Sequence, residues 1–153
     1  MTVDDKTLAT SRLYAHPRER VWQAWTDPTE IGKWWGPNGF TTTTTEMEVR
    51  VGGTWRFVMH GPDGRDYQNR VTYTEVQEPV RLGYRHEGAG DTEDIHFEVT
   101  VEFVEEAPGS TRLEMRSVFE SALELRRVIE EFGAKEGARQ TLERLADHLE
   151  AKA

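Results

Sequence analysis

Hydrophobic and polar positions alternate with a period of two along most of the chain between Thr41 and Phe119. Short sequences rich in Gly, Pro and Asp interrupt this alternation at regular intervals. Strands that are joined by such short turns pair in antiparallel fashion. The pattern therefore predicts a meander of six antiparallel strands, with turns or loops at Gly52–Gly53, Gly61–Gly64, Glu78–Pro79, Gly88–Asp91 and Pro108–Gly109.

The segment before the meander predicts one strand and two short helices. Thr7–Ala15 is apolar enough to form a strand, and Pro17 is well placed to open a helix over Arg18–Trp25. Asp27–Glu30 resembles a capping box and predicts the start of a second helix. That helix should end near Trp35, because the Gly-Pro pair that follows cannot continue it.

The segment after the meander predicts one long helix. Ser121–Glu124 is a second capping box, and apolar positions with helical spacing continue to Leu149. They fall on two stripes, Leu125/Ile129/Phe132 and Ala138/Leu142/Leu145/Leu149, which are rotated by roughly a quarter turn at about 100° per residue. The change falls between Phe132 and Gly137, where two glycines favour a kink. An unkinked helix that wraps a curved sheet is the alternative.

These elements together predict the α+β class, with a curved antiparallel sheet of about seven strands around a long C-terminal helix. The length of 153 residues suits a single domain, residues 1–153, with an ordered core of about 7–149. One helix cannot completely cover a strongly twisted sheet of that size. Either side chains fill the space between sheet and helix, or a cavity remains.

Composition excludes several functional classes. The formal net charge of −9 opposes binding to nucleic acid and to anionic membrane surfaces. The chain has no cysteine, no apolar run long enough to insert into a membrane and no signal-peptide pattern at its start, so we expect a cytoplasmic protein. His-Glu-x-x-His and phosphate-loop motifs are missing from the sequence, and we expect no metal and no cofactor.

Several motifs resemble the helix-grip superfamily called SRPBCC or START-like, and within it the bacterial subfamily named after the activator of heat-shock-protein-90 ATPase. The motifs are Asp27-Pro28, Trp34-Trp35-Gly36-Pro37, Gly39-Phe40, Arg50, Gly52 to Phe57, Asp63-Gly64, Asp66 to Arg70, Pro79 to His86 and Glu131 to Ala134. The resemblance implies a curved sheet that grips a C-terminal helix around a hydrophobic cavity. It also implies ligands such as lipids, sterols or polyketides, or regulation of a chaperone ATPase.

Alternation along the strands predicts which side chains face the interior. This inward set has three tyrosines and a histidine within a largely apolar wall, a composition that is common in ligand pockets. As ligand-binding residues of a cavity we predict Trp55, Phe57, Met59, Tyr67, Asn69, Tyr73, Tyr84, His86, Phe97, Met115, Phe132 and Glu136. The alternative is that these residues only fill the core.

Four of the predicted residues carry more specific expectations. A buried His86 needs a hydrogen-bond partner, for which Asn69, Tyr67 or Glu136 is suitable. Glu136 follows Phe132 by one helical turn and should face the interior or its rim, where desolvation would raise its pKa. A structural or rim-exposed glutamate is the alternative. Trp34 and Trp35 are predicted at the cavity mouth, with ordinary core packing as the alternative.

The sequence thus predicts the binding of a hydrophobic or aromatic small molecule, lipid- or polyketide-like, between the sheet and the C-terminal helix. A binding protein is expected rather than an enzyme, and no catalytic residue can be assigned. The alternatives are a cavity enzyme of the cyclase or hydrolase type and a module that regulates a chaperone ATPase. The resemblance implies that the co-chaperone activity of the family's namesake depends on more than one domain, and we expect no room for a second domain here, which argues against a chaperone partner. Edge strands permit either a monomer or a homodimer.

Overall fold

Eight strands form one antiparallel sheet. The computed structural model describes residues 2–4, 6–89, 96–132 and 134–151, and the side chains of residues 6–87, 96–130 and 136–151. The strands are β1 Thr2–Asp4, β2 Thr7–Tyr14, β3 Thr41–Met47, β4 Thr54–His60, β5 Asp66–Gln77, β6 Arg81–Ala89, β7 His96–Ala107 and β8 Ser110–Phe119. Their order in the sheet is β1-β2-β8-β7-β6-β5-β4-β3. The predicted α+β fold and meander are confirmed, and the three-residue β1 adds an edge strand to the seven expected.

The helices flank the meander as the sequence predicts. Helix α1 spans Arg18–Thr26, and a 3₁₀ turn, Ile31–Lys33, follows it. The C-terminal helical region consists of α2, Ala122–Phe132, and α3, Ala134–Ala151. The kink predicted between Phe132 and Gly137 falls on a stretch in which residue 133 lies outside the described residues. Within the part of the chain that the structure describes, no helix is both long and apolar enough to cross a membrane.

The predicted second helix after α1 is wrong, because only the single 3₁₀ turn forms there. Asp27 Oδ1 accepts hydrogen bonds from the backbone N–H and the hydroxyl of Thr29, at 2.8 and 2.6 Å. Such a local turn competes with helix formation. Glu30 does not complete a capping box, because its carboxylate is buried against His148 and Arg20. The Glu30 carboxylate therefore contacts His148, which is distant in sequence, and does not form the local capping bond that the sequence predicts.

The connection between β3 and β4 also differs from the predicted two-glycine hairpin. Strand β3 ends at Met47 after a bulge between Thr44 and Glu46, and residues 48–53 form a longer loop. Val51, which the alternation placed in the strand, is 63% exposed in this loop. Gly53 is required here, because a Cβ at that position would lie 2.2 Å from the backbone oxygen of Glu48.

Two groups of buried side chains form the core on the inner face of the sheet. The larger group, called here the Trp cluster, includes Trp22, Trp25, Trp34, Trp35 and Trp55. The smaller group, called the α2 cluster, consists of Leu8, Phe119, Leu125 and Val128. Phe97 is only partly buried and packs against both clusters. The candidate site lies along the inner face of the sheet where the two clusters meet.

Candidate functional site

One row of side chains crosses the middle of the sheet on its inner face. Tyr73 on β5 lies opposite Tyr84 on β6, Tyr84 lies opposite Val99 on β7, and Val99 lies opposite Ser117 on β8. Directly opposed residues of antiparallel strands share a face of the sheet. The row therefore brings three hydroxyl groups to the interior, from Tyr73, Tyr84 and Ser117.

The Tyr84 hydroxyl is the group of this row that is fully buried without a hydrogen-bond partner among the described residues. Tyr84 is 3% exposed, and its hydroxyl forms no hydrogen bond with any described residue. Burial, with a smaller effect of neighbouring Tyr73, raises the pKa of Tyr84 far above its ordinary value. The phenol therefore remains protonated at every physiological pH, and it can donate a hydrogen bond to a neutral or anionic acceptor.

His86 lies one row further along the sheet and is paired with Asn69. The His86 Nε2 and Asn69 Oδ1 atoms are 2.9 Å apart, while Asn69 Nδ2 donates to the Tyr67 carbonyl oxygen at 3.1 Å. The latter bond assigns Oδ1 as the acceptor, so Nε2 carries the imidazole proton. Desolvation lowers the pKa of His86 to about 4, so the ring is neutral at pH 7. The lone pair of His86 Nδ1 then receives no hydrogen bond from any described residue.

Aromatic rings surround the His86 imidazole. The Phe97 ring lies 4.7 Å from it between centroids, and the Phe57 ring lies 5.9 Å from it in an edge-on arrangement. Of the predicted inward set, Trp55, Phe57, Tyr73 and Tyr84 are buried, while Met59, Tyr67, Asn69, His86, Phe97 and Met115 are partly exposed. The wall is therefore apolar, with a few neutral polar groups set into it.

Trp34 does not occupy the predicted cavity mouth. It is completely buried in the Trp cluster, and its indole N–H donates to the Ala24 carbonyl oxygen at 3.0 Å. Trp35 is 6% exposed and packs edge-on against Trp55, with 5.0 Å between ring centroids. Both indoles belong to the buried core, to which a large aromatic side chain contributes much apolar area.

Glu136 lies on the solvent side of α3 rather than facing the interior. Its carboxylate is 58% exposed and accepts hydrogen bonds from Arg139 and Gln140. The bond from Arg139 lowers the pKa of Glu136, which is opposite to the rise expected on desolvation. Arg139 lies one helical turn further on the same exposed face, so a local pair replaces the expected interior contact. The Phe132 side chain lies outside the described residues.

Arg144 is a residue that the sequence analysis missed. Its Nη1 atom donates to the carbonyl oxygens of Trp35, Gly36 and Pro37, at 3.3, 2.8 and 3.1 Å. The partners are backbone atoms of a loop more than a hundred residues away, so no spacing in the sequence could indicate them. The only available signal was a cation on the partly buried side of α3.

The described residues offer no grouped ligands for a metal ion. Within these residues, no three side chains of His, Asp or Glu come together. A depression of about 290 Å³ lies on the outer face of the sheet, but the charges of Arg81, Arg116, Glu102 and Glu114 line it. Such a surface does not favour an apolar molecule, in contrast to the inner wall.

The fold and its inner wall are those of a helix-grip protein, and comparison with known proteins identifies the family. The sequence model described as Activator of Hsp90 ATPase homolog 1-like protein matches residues 15–150. This match spans most of the chain, so the chain belongs to that family, AHSA1. Comparison with curated proteins gave no match.

Solved structures from several bacteria share the fold. Protein Ms6760 from Mycobacterium smegmatis is 28% identical with a TM-score of 0.83, over 95% of this chain and 94% of that chain. A protein from Arthrobacter aurescens is 28% identical with a TM-score of 0.86, over 95% of this chain and 87% of that one. The AHSA1 protein of Silicibacter pomeroyi is 21% identical, with a TM-score of 0.78 and coverage of 96% and 99%, and shows the fold alone.

Proposed function

We propose that the protein binds a hydrophobic or aromatic small molecule, lipid- or polyketide-like, between the inner face of the sheet and helices α2 and α3. The buried Tyr84 hydroxyl is the observation that carries the proposal, because no described residue accepts its hydrogen bond. Nearly all buried polar groups in folded proteins have a partner. A buried hydroxyl without one costs about 1–3 kcal/mol. A bound molecule with a hydrogen-bond acceptor would recover that free energy.

The neighbouring groups support a ligand with few polar atoms. His86 Nδ1 offers an acceptor and Tyr84 offers a donor, and both groups are neutral at pH 7. Around them the wall is aromatic, with Phe57 and Phe97 beside the imidazole. Aromatic rings with a few placed polar atoms are typical of pockets that orient a planar or chain-like apolar molecule. A phenol or ketone oxygen would suit the donor at Tyr84.

A thermal-shift screen tests this proposal. The panel consists of fatty acids, flavonoids, polyketide-like phenols, and two acid–amide pairs, cinnamic acid with cinnamamide and decanoic acid with decanamide. A ligand that binds only the folded protein must raise its melting temperature. We expect at least one apolar member to do so in a concentration-dependent way, and assays of bound ligands for turnover would reveal a cavity enzyme.

Two tyrosine variants provide a matched comparison. Tyr84→Phe removes the unpaired hydroxyl, so the ligand-free protein should keep its stability while its affinity for the ligand falls roughly fivefold or more. Tyr14→Phe removes an equally buried hydroxyl that donates to Leu142 O at 2.8 Å. That variant should lose about 1 kcal/mol of stability and keep its affinity. A panel without any binder, or equal affinity in Tyr84→Phe, would contradict the proposal.

The family description favours a second candidate, stimulation of a chaperone ATPase. This candidate predicts that the purified protein raises the ATP hydrolysis rate of a heat-shock-protein-90-type chaperone. It also predicts that apolar ligands leave the melting temperature unchanged. The ATPase assay with Tyr84→Phe as a further sample separates the two, because an interior substitution should not alter a surface contact with a chaperone.

A further inference from the structure

Arg144 differs from the ion-paired arginines of the chain because its guanidinium faces backbone carbonyls. Through Nη1 alone it donates to the carbonyl oxygens of Trp35, Gly36 and Pro37. No described carboxylate lies within ion-pair distance of it, and no described residue accepts a hydrogen bond from its Nε or Nη2. Desolvation lowers the pKa of Arg144 from its ordinary value.

The Arg144 guanidinium adjoins the partly exposed end of the apolar wall. A Cβ atom at Gly36 would lie 3.1 Å from Met59 Cε, 3.4 Å from Phe40 Cβ and 3.7 Å from Arg144 Nη1. All three groups therefore lie around Gly36. Met59 lies opposite Tyr67 on the inner face of the sheet, and the Tyr67 ring is 6.0 Å from the Phe40 ring. The Arg144 guanidinium therefore lies next to apolar side chains that remain partly exposed.

The loop of residues 35–38 holds this cation at the edge of the wall. Gln140 Oε1, one turn before Arg144 on α3, accepts a hydrogen bond from the Asn38 backbone N–H at 2.9 Å. A Cβ at Gly137, one further turn back, would lie 3.9 Å from Pro37 Cβ. Helix α3 therefore touches the loop at three successive turns, so the position of the guanidinium is fixed relative to the wall.

We propose that Arg144 is an anion-recognition residue of the ligand site and that the ligand is amphiphilic, with a carboxylate at Arg144 and its apolar part along the wall of Met59 and Tyr67. This inference rests on the proposed function. The chain has a net charge of −9, which repels anions in general, so an anionic ligand needs a local cation. Nε and Nη2 of a guanidinium present two parallel N–H donors, the geometry that a carboxylate accepts.

Affinities for the two acid–amide pairs, measured by titration calorimetry at pH 7, test this role. An acid and its amide have nearly the same shape and differ in charge. We expect wild-type protein to bind at least one acid roughly tenfold or more tightly than its amide, the effect of a charge-assisted hydrogen bond. Arg144→Gln should abolish that preference and leave the affinity for the amide unchanged. Arg126→Gln, an exposed arginine on α2, removes the same charge and should retain the preference.

The outcomes separate the inference from the proposed function. Equal affinity of acid and amide in wild-type protein, or a preference that survives Arg144→Gln, overturns the role of Arg144 and leaves ligand binding intact. If only neutral members of the panel bind, the role of Arg144 is likewise overturned and ligand binding remains. If nothing in the panel binds, the proposed function fails and the inference fails with it.

Arg144→Lys keeps the test decisive if Arg144→Gln does not fold. Its ammonium can still donate to the carbonyls of the loop, but it cannot offer a carboxylate two parallel donors. We expect the preference for the acid to fall severalfold in this variant. An unchanged preference would mean that Arg144 only stabilises the loop.

Discussion

At the scale of single residues, the protonation of His86 makes the stability of the protein depend on pH. Its pKa is about 4 in the folded protein and 6.5 in the unfolded chain, because folding desolvates the ring. Between these values the unfolded chain binds more protons than the folded protein. The stability that neutral His86 contributes is therefore fully present above pH 6.5 and is lost as the pH falls towards 4.

We expect this residue alone to account for a loss of about 2 kcal/mol of unfolding free energy between pH 7 and pH 5. Urea denaturation at both pH values measures the loss. His86→Gln keeps a side-chain amide that can bond to Asn69, but this amide does not titrate between pH 7 and pH 5. The loss of unfolding free energy in this variant should therefore be smaller by about 2 kcal/mol. An identical pH dependence in His86→Gln would refute the assignment.

At the scale of elements, a buried polar group ties α3 to the turn after α1. Glu30 Oε1 lies 2.8 Å from His148 Nε2 and 2.9 Å from Arg20 Nη2, and the side chains of Glu30 and His148 are each 7% exposed. Removing one partner of a buried ionic group leaves the others desolvated without compensation, which costs more than the loss of an exposed pair. The last turns of α3 should therefore depend on Glu30.

Glu30→Gln tests this dependence with little change of shape. We expect it to lower the free energy of unfolding by about 2 kcal/mol or more, because Arg20 then faces an amide instead of a carboxylate. Glu143→Gln removes the same charge from an exposed pair with Arg139 and should cost less than about 0.5 kcal/mol. Chemical denaturation of both variants measures the difference. Equal effects would show that burial of the Glu30 group is unimportant.

The contrast between local patterns and contacts distant in sequence explains which elements could be predicted from the sequence. Strands β4 to β8 were predictable because each has one face in the core, so the buried side chains recur every second residue. Glu30 was misassigned to a helix cap because its partner His148 is 118 residues away. The bulges between Thr44 and Glu46 and between Tyr73 and Glu75 were not foreseen, since an inserted residue leaves no mark in the composition.

The candidate site was predictable to the same extent as the strands that carry it. The side chains of Tyr84, His86 and Asn69 lie on the inner face because their strand register demands it. The sequence left Asn69, Tyr67 and Glu136 open as partners of His86, and the structure pairs His86 with Asn69. Residues on the helices were less predictable. Glu136 was displaced to the surface by a local bond to Arg139, and Arg144 was missed because its partners are backbone oxygens.

At the scale of the whole molecule, the two core clusters are unequal. Helix α3 buries Leu142, Leu145 and Leu149 in the large Trp cluster, and Tyr14 donates a hydrogen bond to its backbone at Leu142. Helix α2 packs through Leu125 and Val128 on a cluster in which four of the described side chains are buried. Segments with fewer buried apolar contacts open locally at a lower free energy. Helix α2 should therefore open more readily than α3.

Amide hydrogen exchange should reveal this difference directly. We expect the backbone amides in the middle of α2 to exchange roughly tenfold or more faster than those of Leu142–Leu149 in α3. A ligand between the sheet and the helices stabilises only the closed state, so it should slow exchange in α2 if the opening of that helix exposes the binding site. Equal exchange in both helices would contradict the difference between the clusters. Faster exchange in α2 that no ligand alters would mean that the opening does not expose the binding site, and entry of a ligand would then need another route.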